Sequence, residues 1–271
     1  MANEKLVCDI GAHQGEDTEF YLRKGFAVVA VEAVPESCAS MERTFDGFLQ
    51  AGQLRILNIA VSTMAGPVDF YIGETVSVWG TAQPDRVQRN RIPGGGKTRK
   101  IRVATRSLVD IIEEYGVPRY CRIDIEGNDL DALKSLIRSP EVPPFISIES
   151  ETCHWDRLMD EFLTFRELGY SRYKIVDQTL VGLQACPRPS REGNDCDHIF
   201  QCGSSGLFGD ELPGSWLELT EAIEAYRQIF LGYALNGDNG MFRKADGIFS
   251  ISMSSDGSRE RPRGSENSRD M

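Results

Sequence analysis

The chain has 271 residues, with 30 Lys and Arg against 41 Asp and Glu, a formal charge of −11. That length suits a single α/β domain with a substantial core, and that charge disfavours nucleic acid and anionic lipid as partners. No apolar run approaches the roughly 18 residues of a transmembrane helix, the first residues lack a signal-peptide pattern, and the seven cysteines are scattered with no CxxC pair. A reducing cytoplasm fits best, with neither a redox motif nor a cysteine-rich zinc site.

The first 178 residues alternate short apolar runs with helical patterns, the sign of a parallel sheet covered on both faces. Leu6 to Ile10 reads as strand one, ending in Gly11-Ala12-His13-Gln14-Gly15, and a helix then stops at Gly25. Ala27 to Val31 is strand two, closed by Glu32. Pro35 suits the first turn of a helix whose Cys38, Met41 and Phe45 share a face. Leu54 to Val61 is strand three, and Val68 to Ile72 an extra strand. A polar, Gly-rich stretch over 76–98, with Trp79 and several arginines, has the length of a lid or substrate loop, with a disordered insertion as the other reading.

Regularity returns at Lys100. Ser107 and Asp110 have the spacing of a capping box, with aspartate in place of the usual Glu or Gln, ahead of the stripe Leu108, Ile111, Ile112 and Tyr115. Tyr120 to Ile125 is strand four, followed by a helix carrying Leu130, Leu133, Leu136 and Ile137 that stops near Pro140. Phe145 to Ile148 is strand five, and Trp155, Leu158, Met159, Phe162 and Phe165 mark the clearest helical face. Tyr170 to Val176 is strand six. Within 179–251, a C-terminal elaboration, His198 to Gln201 is the best place for a last strand, and Trp216, Leu219, Ile223, Tyr226 and Phe230 make a final helix. One domain thus spans 1–251, and 252–271, nearly devoid of apolar residues, reads as a disordered tail.

Chemistry-bearing residues fall at strand ends, where open α/β sheets bind ligands. Gly11 and Gly15 remove β-carbons that would hold a ligand off the backbone. The helix start beyond them offers N–H groups for a carboxylate, and Asp9 faces an ammonium. Glu32, an acceptor-only carboxylate, matches the vicinal hydroxyls of a ribose. Taken singly, a glycine turn is a tight connection and Glu32 a solvated strand end; together they point to a nucleoside cofactor. A dinucleotide fingerprint requires G-x-G-x-x-G. The spacing here is G-x-x-x-G with Asp9 two residues ahead, which suits an amino-acid moiety better than a pyrophosphate and favours S-adenosylmethionine.

Val7-Cys8-Asp9-Ile10-Gly11-Ala12-His13-Gln14-Gly15, the strand ending at Glu32, and Arg122-Ile123-Asp124-Ile125-Glu126-Gly127 together resemble the FkbM-type methyltransferases over roughly residues 5 to 175. The resemblance implies a class I methyltransferase fold: a Rossmann-like, doubly wound, mostly parallel seven-stranded sheet with helices on both faces. It also implies S-adenosylmethionine as cofactor and, most often, O-methylation. By the same likeness, Asp9, Gly11, Ala12, His13 and Gly15 line the methionine end of the cofactor. Glu32 holds the ribose, with Ala33 beside it also touching the cofactor, Ala60, Val61 and Ser62 border the adenine, and Asp124 and Glu126 lie near the transferable methyl group. Two positions depart from the family pattern: His13 stands where Asn is usual, and Asp129 replaces a second Glu.

Asp124 and Glu126 are the candidates for assisting loss of a hydroxyl proton from a small-molecule or sugar-like acceptor. Equally, Asp124 contacts only the cofactor and Glu126 caps the next helix. Acidic residues before a helix are more often caps than Mg²⁺ ligands, so no metal is expected. His154 and His198 are weaker candidates for a proton acceptor. Two other functions stay open: a non-catalytic module that binds S-adenosylmethionine, and a nicotinamide-dependent oxidoreductase or epimerase.

Overall fold

The computed structural model describes residues 2–64, 66–73, 98–125, 127–151, 154–201, 203–236 and 249–254. The N-terminal half runs β1 (Asn3–Ile10), α1 (Glu16–Arg23), β2 (Ala27–Glu32), α2 (Pro35–Thr44), α3 (Asp46–Gln50) and β3 (Leu54–Asn58). Short strands β4 (Ala60–Val61) and β7 (Thr105–Arg106) flank the hairpin strands β5 (Val68–Gly73) and β6 (Thr98–Val103). Then follow α4 (Leu108–Tyr115), β8 (Pro118–Ile123), α5 (Asp129–Ser135), β9 (Phe145–Glu149), α6 (Trp155–Glu167), β10 (Arg172–Asp177), α7 (Leu219–Asn236) and β11 (Phe249–Ser254).

The main sheet has the order β10-β11-β9-β8-β1-β2-β3. β9, β8, β1, β2 and β3 are mutually parallel, whereas β11 lies antiparallel between β9 and β10. Strand alternation divides the core between the two faces. Leu6, Cys8 and Ile10 of β1 and Cys121 and Ile123 of β8 pack with buried residues of α4, α5, α6 and α7. Val7 and Tyr120, from the opposite parity, pack with Phe20, Tyr21, Cys38 and Met41 of α1 and α2. The same cluster takes in Val181, Phe200, Leu207, Phe208 and Leu212. The irregular segment 178–216 therefore covers part of this face beside α1. Its Phe208 ring stacks on Tyr120 at 4.6 Å and meets Tyr21 edge-on at 5.4 Å.

Most elements lie where the hydrophobic pattern places them, including the capping box, in which Ser107 accepts from the Asp110 amide and Asp110 from the Ser107 amide. Three expectations need correction. Strand three breaks at Ile59: Leu54–Asn58 stays in the main sheet, and Ala60–Val61 leaves it to pair with Thr105–Arg106. His198 to Gln201 forms no strand; Phe200 is buried edge-on to Phe20 at 4.8 Å instead. The strand after α7 is β11, and its last residues, Ser252 to Ser254, fall past the boundary set for the tail. The stretch 74–97, which holds most of the expected lid, and the tail from 255 onward lie outside the described residues. Among the described residues, no helix is long and apolar enough to cross a membrane.

Candidate cofactor and active site

β1, β2 and β8 end side by side, with Asp9 registered against Ala30 on one flank and Arg122 on the other. The loop after β1 turns sharply under them. Gly11 has φ +89°, and a β-carbon there would stand 1.8 Å from the Asp124 carbonyl oxygen. Gly15 has φ +92°, and its added β-carbon would stand 2.4 Å from the Phe45 ring. Contacts within the protein thus require both glycines, apart from any path they clear for a ligand.

The loop amides are likewise committed. Gly11 and Ala12 both donate to the Val31 carbonyl, at 2.9 and 3.0 Å, and Gly15 donates to Ala12 at 2.8 Å. His13 donates its amide to Glu32 Oε2 at 2.8 Å, and Gln14 donates to Glu16 at 3.2 Å. These five groups are thus bonded within the chain, and the N–H groups expected to meet a cofactor carboxylate are those of the helix start beyond them. His13 itself sits at φ 50°, and its Nδ1 lies 2.8 Å from Glu16. That hydrogen bond raises the imidazole pKa against its partial burial.

Glu32, 8% exposed, closes β2. Besides His13, it accepts from the Val34 amide at 2.7 Å. Burial pushes its pKa up, opposed by these two amides. The Ala33 amide acts on the carboxylate as well, and of its roughly four acceptor sites one is left for a ribose hydroxyl. Asn58 fastens the strand end by donating to the carbonyls of Glu32 and Ala33 at 3.0 and 3.1 Å. Ala33 and Val34 pack with Ala60, Phe70, Ile72 and Val103, so the hairpin of β5 and β6 rests against the end of β2. Ser62 continues the β4 pairing by donating to Arg106 at 3.0 Å. Glu32, Ala33 and Ala60 therefore belong to one edge, polar at the carboxylate and apolar beyond it.

The electrostatic centre is Arg122, on the same face of the sheet as Asp9. Its guanidinium donates to Asp9 Oδ1 at 3.1 Å and the Gly11 carbonyl at 3.0 Å through Nη1, and to Asp124 Oδ2 at 2.5 Å through Nη2. Nε reaches both Asp17 Oδ2 at 3.0 Å and Ser205 Oγ at 2.6 Å. Asp9 is fully buried and also accepts from Thr18 at 2.6 Å, so it acts on the site through Arg122 and the loop. Burial raises the pKa of Asp9, with Arg122 and Thr18 opposing, and raises that of Asp17 to about 6. Of the three carboxylates, only Asp124 is appreciably open, at 32% exposure.

Residues 9–172 match the methyltransferase FkbM domain. The chain belongs to the FkbM methyltransferase family. No curated protein matches it. Among solved structures it is similar to a precorrin-6y C5,15-methyltransferase from Geobacter metallireducens, at 9% identity over 94% of this chain and 81% of that one, with a TM-score of 0.38. A sarcosine dimethylglycine methyltransferase candidate from Galdieria sulphuraria shares 10% identity over 93% and 78%, with a TM-score of 0.41. A methyltransferase candidate from Streptococcus mutans in complex with SAH shares 12% over 65% and 79%, with a TM-score of 0.33.

The remaining candidates of this FkbM-family chain fall around that centre. Glu126 lies outside the described residues. Asp129 accepts from the amides of Ile125 and Gly127 at 3.2 and 3.0 Å and so ties down the loop after β8; burial raises its pKa to about 6. His154 Nδ1 stands 3.4 Å from Glu151 at the exposed start of α6. His198 is sandwiched by Phe20 and Phe200, and burial lowers its pKa. Sequence reasoning missed Arg122 as a participant, together with Asp17, Thr18, Asn58 and Ser205. For Arg122 a signal existed, a cation amid Tyr120, Cys121 and Ile123 in a strand due to be buried on both faces. Ser205 offered none.

Proposed function

We propose that this methyltransferase uses S-adenosylmethionine and methylates a hydroxyl oxygen of a small, sugar-like acceptor, on a class I fold whose strand order is the seven-strand sequence given above. The observation that carries this reading is the charge balance at the ends of β1 and β8. Three carboxylates, Asp9, Asp17 and Asp124, surround one guanidinium in a largely desolvated place. A cationic ligand relieves that surplus, and a sulfonium with an ammonium nearby is such a ligand. Glu32 retains acceptor capacity for a ribose hydroxyl, and Ala33, Val34 and Ala60 supply apolar surface for a purine. A pyrophosphate fits poorly, because the loop amides that would receive it are already bonded within the chain.

When bound, the cofactor supplies an electrophilic methyl carbon. The chain's own task is to align an acceptor oxygen with that carbon and to take up the hydroxyl proton. Asp124, bound by Arg122 Nη2, orients the hydroxyl at the open end of the cluster. Glu126, two residues on, is its proposed partner as proton acceptor. Asp129 fixes the backbone between them and α5.

Calorimetric titration with S-adenosylmethionine, its demethylated product and NAD tests the cofactor. Binding of the first two without NAD is the expected result, and the reverse would overturn it. Incubation of enzyme and cofactor with metabolite pools, read for a mass gain of one methylene, tests turnover. Tight cofactor binding with no such product from any pool would favour the non-catalytic module.

A further inference from the structure

We infer that Ser205, beyond the residues that match the family, is a positioning residue of this site: the turn around it seats Arg122 and Asp17 and thereby sets cofactor affinity. The inference rests on the cofactor reading above. The turn touches the charge cluster twice. The Ser205 amide donates to both oxygens of Asp17, at 2.8 and 3.0 Å, and the Ser205 hydroxyl accepts from Arg122 Nε. No other described residue from the segment 178–216 contacts the guanidinium in the structure's hydrogen bonds or ion pairs.

The turn is built to be rigid. The Leu207 amide donates to Gln184 Oε1 at 2.8 Å, and a β-carbon on Gly206 would stand 2.4 Å from that same oxygen. Farther along, Phe208 stacks on Tyr120, two residues before Arg122 on the same face of β8. Glu211 then meets Lys24 Nζ at 2.7 Å in a pair sealed from solvent on both sides. The segment therefore grips α1 at Asp17 in its first turn and at Lys24 just past its last. Between those anchors runs the helix whose leading loop, Gly11 to Gly15, borders the cofactor edge. Freed from Ser205, the guanidinium would lose one of its five acceptors, and its hold on Asp9 and Asp124 would slacken.

The test uses the full chain. Ser205→Ala should weaken S-adenosylmethionine binding about tenfold, the order of one hydrogen bond to a charged group. Ser205→Thr, which keeps the oxygen, should restore it. Ser204→Ala is the control in the same turn, since its buried hydroxyl has no partner among the described residues; it should leave the dissociation constant unchanged.

The readout that mere structural damage would not move is the Asp17 titration, followed by carboxyl carbon NMR without cofactor. The groups facing that carboxylate are Arg122, Asp9, Ser205 and, across the sheet face, Tyr21 and Tyr120. Its midpoint should rise in Ser205→Ala, because the carboxylate loses the Ser205 side-chain hydrogen bond and a loosened guanidinium favours the ionised form less, and return in Ser205→Thr. Wild-type binding and an unmoved midpoint in the alanine variant would overturn the inference. A midpoint that moves in Ser205→Ala while the wild-type protein binds no S-adenosylmethionine would sink the cofactor reading and leave the seating of Arg122 standing. Should Ser205→Ala fail to fold, Ser205→Cys is read the same way; failure of both to fold would count against the inference, which requires a folded chain with weakened binding.

Discussion

Gly11 and the Asp124 carbonyl oxygen are packed so closely that a β-carbon on Gly11 would lie 1.8 Å from that oxygen. The atom in the way is backbone, so neither a rotamer change nor a small side-chain shift relieves the clash. The conformation at φ +89° adds strain for any L side chain. Gly11→Ala should therefore destabilise the protein by about 3 kcal/mol or more, even with no cofactor present. Thermal unfolding of the apo protein checks this. An apo variant as stable as wild type, defective only in binding, would return Gly11 to the role of clearing a ligand's path.

Glu32 joins stability to binding, because its carboxylate holds the amides of both His13 and Val34. Glu32→Ala strands two buried donors and removes the proposed ribose acceptor. It should cost about 1.5–3 kcal/mol in cofactor binding and also lower apo stability. Glu32→Gln keeps one acceptor oxygen, so it should lose less on both counts. Titration calorimetry beside urea unfolding separates the two effects, and an unchanged dissociation constant in Glu32→Ala would remove this residue from the cofactor site.

Much of the fold was legible because its strands are buried on both faces and so appear as unbroken apolar runs. The helix starts were equally plain at Pro35 and at Ser107 with Asp110. What escaped notice depended on distance along the chain. Phe249-Ser-Ile-Ser-Met-Ser254 carries a period of two, with Phe249, Ile251 and Met253 alternating with serines. Its shortness and its nearness to a polar tail masked that pattern. Phe200 is buried by ring contacts with no strand partner, so an apolar run there misled. At the site, Asp9, Glu32 and Asp124 stood out because strand ends announce ligand positions, whereas Asp17 passed as an ordinary acidic residue in a first turn. Its partner Ser205 lies 188 positions away, a pairing no local pattern encodes.

Lys24 and Glu211 make a prediction about long-range order. Nζ also donates to Ser190 Oγ at 2.6 Å, while Glu211 Oε1 accepts from that hydroxyl and from the amides of Arg191 and Glu192. Lys24→Met leaves a carboxylate buried without its cation and should cost about 3–5 kcal/mol. Adding Glu211→Gln removes the stranded charge yet keeps an oxygen for the three donors, so the double variant should be more stable than Lys24→Met alone. Denaturant unfolding of the four proteins in that cycle measures the coupling. Additive losses would mean the two groups do not act as a pair.

Asp129 makes the pH dependence calculable in sign. Burial raises its pKa from 3.8 to about 6 in the folded chain, and the nearby Asp124 charge pushes the same way. The folded state therefore binds this proton more tightly than the unfolded one. The resulting stability is fully present below pH 4 or so and is lost as pH climbs through about 6. At about 1.4 kcal/mol per unit, the loss is on the order of 3 kcal/mol. Other groups titrate in the same interval, so the quantity to follow is the difference between wild type and Asp129→Asn, which cannot ionise at that position. Urea unfolding between pH 4 and pH 7.5 should show wild type losing stability relative to the variant as pH rises, whatever constant offset the lost amide acceptor contributes. Parallel curves across that interval would mean that Asp129 keeps an ordinary carboxylate pKa, and that the loop after β8 is held by something other than a proton-sensitive buried acid.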